Sequence, residues 1–180
     1  KLEVDVLADR VQALSRLFKL EFMFRADASF DDIFADVLAD MHQQGELALK
    51  SGWVTPGAGH DNLDGRGWLG FYAASVRNFL EGYRVAARSL VVLAKGPQSA
   101  SDLSARARKR GERMYLAGEI ERSEAVNRPV IENALEAFVD QGYLVRRDGG
   151  LALSDSFNSP EAAATIEGRI AAFLAQRGAL

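Results

Sequence analysis

The feature that most constrains the fold of this chain is a helical segment over residues 68–94, which is apolar around most of its circumference. An ideal helix turns about 100° per residue, and on that wheel the charged residues of the segment share a wedge of about 60°. They are Arg77, Glu81, Arg84 and Arg88. A helix that is apolar nearly all round is buried. The sequence therefore predicts a long central helix that buries Val76, Phe79, Leu80 and Tyr83 and shows only the charged wedge to water or a partner.

The first half of the chain supplies smaller elements around this helix. Apolar residues at helical spacing predict a helix over 5–20. Ser29, with Asp32 three residues later, predicts a capping box that opens a second helix, which Gly45 ends. Two short stretches, 21–24 and 46–50, have strand character and could pair with each other. The glycine-rich stretch 52–67 is expected to be a loop.

The last third of the sequence has a different order of elements. A helix capped by Ser99 or Ser101 is expected to run to about Leu116, and a second helix, 129–141, carries Pro129 in its first turn. Between these two helices Ser123 caps a short helical turn. The dipeptide Asp148-Gly149 predicts a hairpin turn, and Pro160 begins a terminal helix. Helix, short helix, helix and hairpin over 99–154 is the winged-helix order.

These patterns together predict a mainly α fold. A helical subdomain, 1–97, holds the central helix, and a winged-helix-like unit with the terminal helix and a short β-hairpin occupies 98–180. The opening residues resemble neither a signal nor a transit peptide, and the missing initiator Met predicts that the sequence is part of a longer chain. The charges within 68–94 exclude that segment as a membrane span.

Composition excludes several kinds of chemistry. The chain has no cysteine, which rules out disulfides, thiolate metal sites and thiol nucleophiles. Its net charge of −3 gives no general reason to expect a nucleic acid or an acidic substrate.

The stretch GHDNLDG, 59–65, places His60 next to Asp61 and close before Asp64. A catalytic base would need a nucleophile, a substrate hydroxyl or a second metal ligand nearby, and the sequence has neither G-x-S-x-G nor H-E-x-x-H. The surrounding glycines disfavour the helix that would bring His60 and Asp64 onto one face. A polar loop, in which replacing His60 has little effect on folding, is therefore the favoured interpretation.

Basic side chains are the remaining candidates for a functional surface. The candidate contacts with an interface or an anionic headgroup are Arg77, Arg84, Arg88, Arg106, Arg108, Lys109 and Arg110. A simple solvated helix face is the open alternative for all of them. DNA binding is disfavoured, because helix 129–141 carries Glu132, Glu136 and Asp140 where a winged helix would meet phosphates.

Three stretches in order carry a family resemblance. They are LSRLFKLEFMFR (14–25), SVRNFLEGYRVAARSL (75–90) and RMYLAGEIERSEAVNRPVIENALEAFVDQGYLVRR (113–147). Over roughly 5–175 the chain resembles the C-terminal region of membrane-associated glycerol-3-phosphate 1-O-acyltransferases, the bacterial and mitochondrial type that includes dihydroxyacetone-phosphate acyltransferase. The specificity of this resemblance comes from the order and spacing of the stretches, since none of them is a catalytic signature.

The resemblance implies a parent enzyme that transfers an acyl group from acyl-CoA or acyl carrier protein to the 1-hydroxyl of glycerol 3-phosphate. Its catalysis lies in an upstream domain with an H-x-x-x-x-D motif, in which the His acts as general base and the Asp orients it. His60 and Asp64 are one residue too close for that motif, so no catalytic residue is carried over onto this sequence. No cofactor or metal is expected.

The resemblance also implies partners and a location. The partner is the upstream catalytic domain of the same polypeptide, with a membrane surface as a further candidate and no nucleic acid. In a bacterium, the parent would lie peripherally at the cytoplasmic face of the inner membrane. The alternative is a winged-helix regulatory or protein-interaction module unrelated to lipid synthesis, and an upstream acyltransferase domain in the same gene would distinguish the two.

Overall fold

The computed structural model describes residues 1–22 and 27–175 and is mainly helical with short antiparallel strands, which confirms the predicted class. The helices are α1 (Val4–Leu17), α2 (Phe30–Gln43), α3 (Gly65–Ser89), α4 (Ala100–Leu116), α5 (Arg128–Asp140) and α6 (Pro160–Leu174). The strands are β1 (Leu2–Glu3), β2 (Leu47–Lys50), β3 (Trp53–Pro56), β4 (Leu144–Arg147) and β5 (Gly150–Leu153).

Backbone packing divides the chain into two compact units. The first unit holds residues 1–75, and the second begins at Val76 and continues into α6. The boundary between the two units lies within α3. The boundary predicted from the sequence lies later in the chain, at Gly96-Pro97. Compact packing and independent folding are different properties, so the division into 1–97 and 98–180 stays a prediction.

The first unit is built on a three-stranded antiparallel sheet in the order β1–β3–β2. Strand β2 confirms the expected strand near 46–50, but its partner is β3, with Leu49 opposite Val54. The predicted loop over 52–67 is therefore wrong for 53–56, which form β3, and for 65–67, which begin α3. The expected strand 21–24 is wrong for residues 21–22, which lie in a turn, and residues 23–24 lie outside the described residues.

The start of α2 confirms the predicted capping box. The Ser29 hydroxyl accepts a hydrogen bond from the Asp32 amide at 3.2 Å, and the Asp32 carboxylate accepts one from the Ser29 amide at 3.3 Å. Both bonds satisfy amides that the first helical turn leaves without partners. The capping box therefore fixes where the helix begins.

The long helix begins at Gly65, where the Asp64 carboxylate accepts a hydrogen bond from the Gly67 amide at 2.8 Å. It continues as a 3-10 segment over Leu90–Lys95. Of the four residues predicted to be buried, Leu80 and Tyr83 are buried, at 6% and 0% exposed, whereas Val76 and Phe79 are only half-buried. The first half of the helix is not buried, since Phe71 is 60% exposed, so the prediction of a helix buried nearly all round is wrong there.

The charged wedge needs a second correction. Glu81, which was expected to face water or a partner, is only 1% exposed. The wheel correctly groups the charges, but this side of α3 lies against other parts of the second unit.

The core of the second unit lies between the second half of α3 and helices α4, α5 and α6. The Tyr83 ring meets the Phe138 ring edge-on, with 6.0 Å between centroids. Gly82 allows close approach, since a Cβ there would lie 2.4 Å from the Val130 Cγ1. The apolar face predicted for α5 is confirmed as buried: Val130, Ile131, Ala134, Leu135 and Phe138.

The hairpin β4–β5 turns where the sequence predicts. Asp148 and Gly149 have φ of 52° and 75°, the left-handed values that a two-residue hairpin turn requires. Gln98 extends this sheet, because its amide and carbonyl exchange hydrogen bonds with Leu151 at 3.0 and 2.8 Å. The order α4, 3-10 turn, α5 and hairpin thus follows the predicted order over 99–154.

Candidate functional site

The glycine-rich loop before α3 folds back over the segment that joins α2 to β2. The Gly57 amide donates to the Glu46 carbonyl at 2.9 Å, and the Gly59 amide donates to the Gly45 carbonyl at 2.8 Å. A Cβ on Gly57 would lie 2.1 Å from the Gly45 oxygen, and one on Gly65 would lie 2.4 Å from the Glu46 oxygen. Only glycine allows this approach, so the composition of the loop follows from its packing.

This loop places His60 against a buried carboxylate. Glu46 is 1% exposed, and its Oε1 accepts hydrogen bonds from the Tyr72 hydroxyl at 2.7 Å and from the His60 Nε2 at 3.2 Å. The other ring nitrogen of His60, Nδ1, bonds the Asp61 carboxylate at 3.0 Å. Trp68 stacks on the imidazole with 4.4 Å between centroids.

The carboxylates around His60 favour its charged form. The hydrogen bond to Asp61, followed by the bond to Glu46, raises the pKa of His60 above its ordinary value of 6.5. The hydrogen bond to Glu46 likewise raises the pKa of the Tyr72 phenol. A doubly protonated imidazole donates from both nitrogens, which matches the two carboxylate acceptors.

This geometry bears on the two interpretations of His60. A general base needs a ring nitrogen that can reach the proton of a substrate, but both nitrogens of His60 already bond carboxylates. The arrangement suits a clamp that holds the glycine-rich loop onto Glu46. His60 does lie in a loop, as expected. The expectation that replacing it has little effect on folding stays a prediction, and the bond of His60 to a buried carboxylate argues against it.

The arginines of α3 also have carboxylate partners. Glu167 of α6 bridges two of them, accepting from the Arg84 Nε at 3.0 Å and from the Arg88 Nε at 3.1 Å. Arg88 also bonds the Glu119 carboxylate, which raises the pKa of Arg88 and lowers that of Glu119. These contacts tie α3 to α6 and to the segment that follows α4 within the second unit.

Glu81 forms the most buried part of this ionic network. Its Oε1 accepts from the Arg77 Nε at 2.8 Å, and its Oε2 accepts from the backbone amides of Glu121 and Arg122 at 3.0 and 2.8 Å. Arg77 also lies 3.1 Å from the Glu121 carboxylate. A buried charge is tolerated when it is paired and hydrogen-bonded, so this carboxylate fixes the loop at 121–122 to α3.

The basic residues of α4 are placed differently. Arg106, Arg108 and Lys109 are exposed, and none of them forms an ion pair with any residue that the structure describes. Arg110 is half-buried and lies close enough to Glu119 to help lower the pKa of that carboxyl. Leu116, at the end of the same helix, is 84% exposed.

Sequence reasoning missed Glu46 and Tyr72, and it found Glu81 but did not expect that residue to be buried. Glu46 sits at the start of an alternating stretch, and Glu81 lies on an otherwise apolar helix. An acidic residue in such a setting signals a buried, hydrogen-bonded carboxylate. Helical spacing could name Arg77 as a donor to Glu81. The other donors to the two glutamates lie between 14 and 41 residues away along the chain, so the sequence could not identify them.

Two absences hold for the residues that the structure describes, 1–22 and 27–175. Among these residues, no helix is long and apolar enough to span a bilayer. The same residues contain no group of three or more His, Asp or Glu side chains that could hold a metal ion.

Comparison with known proteins gives one family match. The family model for the glycerol-3-phosphate acyltransferase C-terminal region matches residues 1–147. No curated protein matches the chain. The matched range contains the three stretches that carry the resemblance and ends at the last residue of β4.

Proposed function

This chain belongs to the glycerol-3-phosphate acyltransferase C-terminal-region family, and on that premise we propose that it is a non-catalytic domain of an acyltransferase. The parent enzyme acylates glycerol 3-phosphate in phospholipid synthesis. The observation that carries this proposal is the family match over 147 of the 180 residues. The catalytic His and Asp belong to an upstream domain of the same polypeptide, which is the principal partner of this chain.

The environment of His60 supports a non-catalytic role. Its ring nitrogens bond Asp61 and Glu46, so the imidazole is engaged in holding a loop. The spacing from His60 to Asp64 is one residue shorter than the family's motif, and Asp64 caps α3. His60 and Asp64 therefore have structural roles, and these roles account for both residues without catalysis.

The winged-helix-like region, 99–154, serves protein contacts in this proposal and does not bind nucleic acid. Its α5 carries acidic side chains, of which Glu136 bonds Arg146 at 2.6 Å and Glu132 bonds Arg128 at 2.7 Å. These pairs neutralise two arginines that could otherwise have met phosphates. A polyanion would meet carboxylates and paired cations on this surface.

The proposed contact with an anionic surface lies on α4. The α3 arginines already have carboxylate partners, whereas Arg106 and Lys109 are exposed. On a helix these two align with Arg113 and Leu116, at positions three, seven and ten residues after the first. A cationic stripe that ends in an exposed leucine suits the headgroup region of a membrane. In a bacterium this would place the parent peripherally at the cytoplasmic face of the inner membrane.

The gene provides the first test of the proposed function. The sequence upstream of Lys1 should encode a domain with the H-x-x-x-x-D motif. The parent protein should acylate glycerol 3-phosphate, and a version that ends before Lys1 should lose most of that activity. An upstream region without such a domain, or a truncated enzyme with full activity, would contradict the proposal.

Vesicle sedimentation tests the membrane contact separately. The chain should bind vesicles that contain anionic lipid more tightly than vesicles of neutral lipid. A basic residue near an anionic surface contributes about 1 kcal/mol, so Arg106→Glu combined with Lys109→Glu should weaken binding at least tenfold. Lys50→Glu, a charge reversal at an exposed lysine of β2, is the matched control and should bind like the wild type. Equal binding by all three proteins would place the contact elsewhere.

A further inference from the structure

An apolar cavity of about 220 Å³ lies within the first unit. Its described wall exposes only apolar atoms and comes from helices α1, α2 and α3 and from the sheet. Residues that define it include Leu7, Val11, Val37, Leu38, Val54 and Leu69. Because it is walled by several elements, it is a cavity between side chains and differs from a flat apolar patch.

The helices beside this cavity are incompletely covered. Within α2, all of which the structure describes, no residue is buried, although its apolar residues recur at helical spacing. Val11 of α1 and Val37 of α2 are 38% and 51% exposed where they line the cavity. An amphipathic helix normally buries its apolar stripe. The apolar stripes of α1 and α2 therefore border a space, and an apolar ligand in that space would cover them.

We propose that this cavity binds one straight hydrocarbon chain. A dry apolar cavity of about 150 Å³ takes benzene, with six carbons, so about 220 Å³ takes roughly nine by proportion. Water is a poor occupant, because the wall offers it no polar partners. A whole helix, about 10–12 Å across, is too wide. This inference is independent of the proposed function, since the cavity would bind such a chain whatever the parent enzyme does.

Methionine NMR of the full chain provides a local reporter. The chain has three methionines; Met41 lines the cavity, and Met114 is buried in α4 of the second unit. Titration with straight n-alkanols from pentanol to dodecanol should shift the Met41 methyl resonance saturably and leave that of Met114 in place. Each added methylene should tighten binding about fourfold, the change expected for one buried CH₂. The gain should end near nine carbons.

Substitutions at the rim test the location of the site. Val11→Phe and Val37→Phe introduce rings beside the cavity and should each weaken alkanol binding at least tenfold. Val6→Phe is the matched control, because Val6 lies on the same α1 and is similarly exposed, at 37%, but is not part of the cavity wall. Its affinity should equal that of the wild type.

Several outcomes would overturn the proposal. They are a Met41 shift that does not saturate, an affinity independent of chain length, or an equal loss in Val6→Phe. Analytical ultracentrifugation adds one more. A dimer of this chain that Val11→Phe and Val37→Phe disrupt, and that alkanols do not, would show that a second copy covers the cavity instead.

Discussion

Replacing Glu81 with alanine tests the internal ionic network of the second unit. The carboxylate is 1% exposed and accepts three charge-assisted hydrogen bonds, one from Arg77 and two from the amides of Glu121 and Arg122. Its removal leaves the Arg77 guanidinium, which is 18% exposed, without its nearest carboxylate. It also detaches the loop at 121–122 from α3. The variant should therefore be clearly less stable.

The size of the loss follows from these bonds. Hydrogen bonds to charged groups contribute about 1.5–3 kcal/mol each. The contributions do not add fully here, because Glu121 and Arg122 are exposed and water can reach their amides once the carboxylate is gone. Breaking a buried ion pair by removing one partner costs about 3–5 kcal/mol. We therefore expect Glu81→Ala to lower the free energy of unfolding by about 3–5 kcal/mol.

Urea denaturation followed by far-UV circular dichroism measures this loss. With a denaturant slope of about 2 kcal/mol/M, the unfolding midpoint should fall by about 1.5–2.5 M. Amide exchange at Glu121 and Arg122 should also become faster in the variant. Glu112→Ala removes an exposed carboxylate of α4 and should stay within about 0.5 kcal/mol of the wild type. If Glu81→Ala matched that control, the account of the network would be refuted.

Three further changes have defined outcomes. Leu135→Ala should lower the free energy of unfolding by about 2–5 kcal/mol in the same urea assay, because Leu135 is buried; a midpoint like the wild type's would show that α5 is not packed as described. Gly82→Ala should cost about 1–3 kcal/mol by overpacking against Val130, and a stabilised variant would contradict that close approach. The contribution of His60 should depend on pH. Because its pKa is raised in the folded state, the gap between the wild type and His60→Gln should be full below about pH 6.5 and shrink as the pH rises through that raised value. A gap that is constant with pH would mean that the imidazole does not titrate against Asp61 and Glu46.

Signals that lie close together in the sequence predicted the local structure well. The capping box needs only Ser29 and Asp32, which are three residues apart. The hairpin turn needs only the adjacent Asp148 and Gly149, both of which have positive φ. Such features depend on backbone geometry over one turn, so the sequence contains all the information they require.

Features that depend on distant partners were not predictable. Strand β3 is four residues long and lies between turn-forming residues, so its pairing with β1 and β2 decides its conformation. The helical wheel placed Glu81 correctly in the charged wedge but could not show what lies opposite that wedge. Two backbone amides, 40 and 41 residues further along the chain, lie there and donate to Glu81.

The candidate site shows the same limit. His60 was identified from its neighbours Asp61 and Asp64. In the structure, Asp64 instead caps the start of α3, and Glu46 bonds the His60 ring. Glu46 lies 14 residues before His60. The sequence therefore predicted that His60 lies in a non-catalytic loop. It could not predict the contact that holds this loop in place, because that contact joins His60 to a distant residue.

An acyl-transfer assay on the purified chain tests the central claim most directly. The 180-residue protein is incubated with glycerol 3-phosphate and radiolabelled acyl-CoA or acyl carrier protein, beside His60→Ala and a blank without protein. If the chain is a non-catalytic domain, the wild type and the variant should both form no more lysophosphatidic acid than the blank. Product formed by the wild type and lost in His60→Ala would contradict the account, because it would make the His60 cluster an active site.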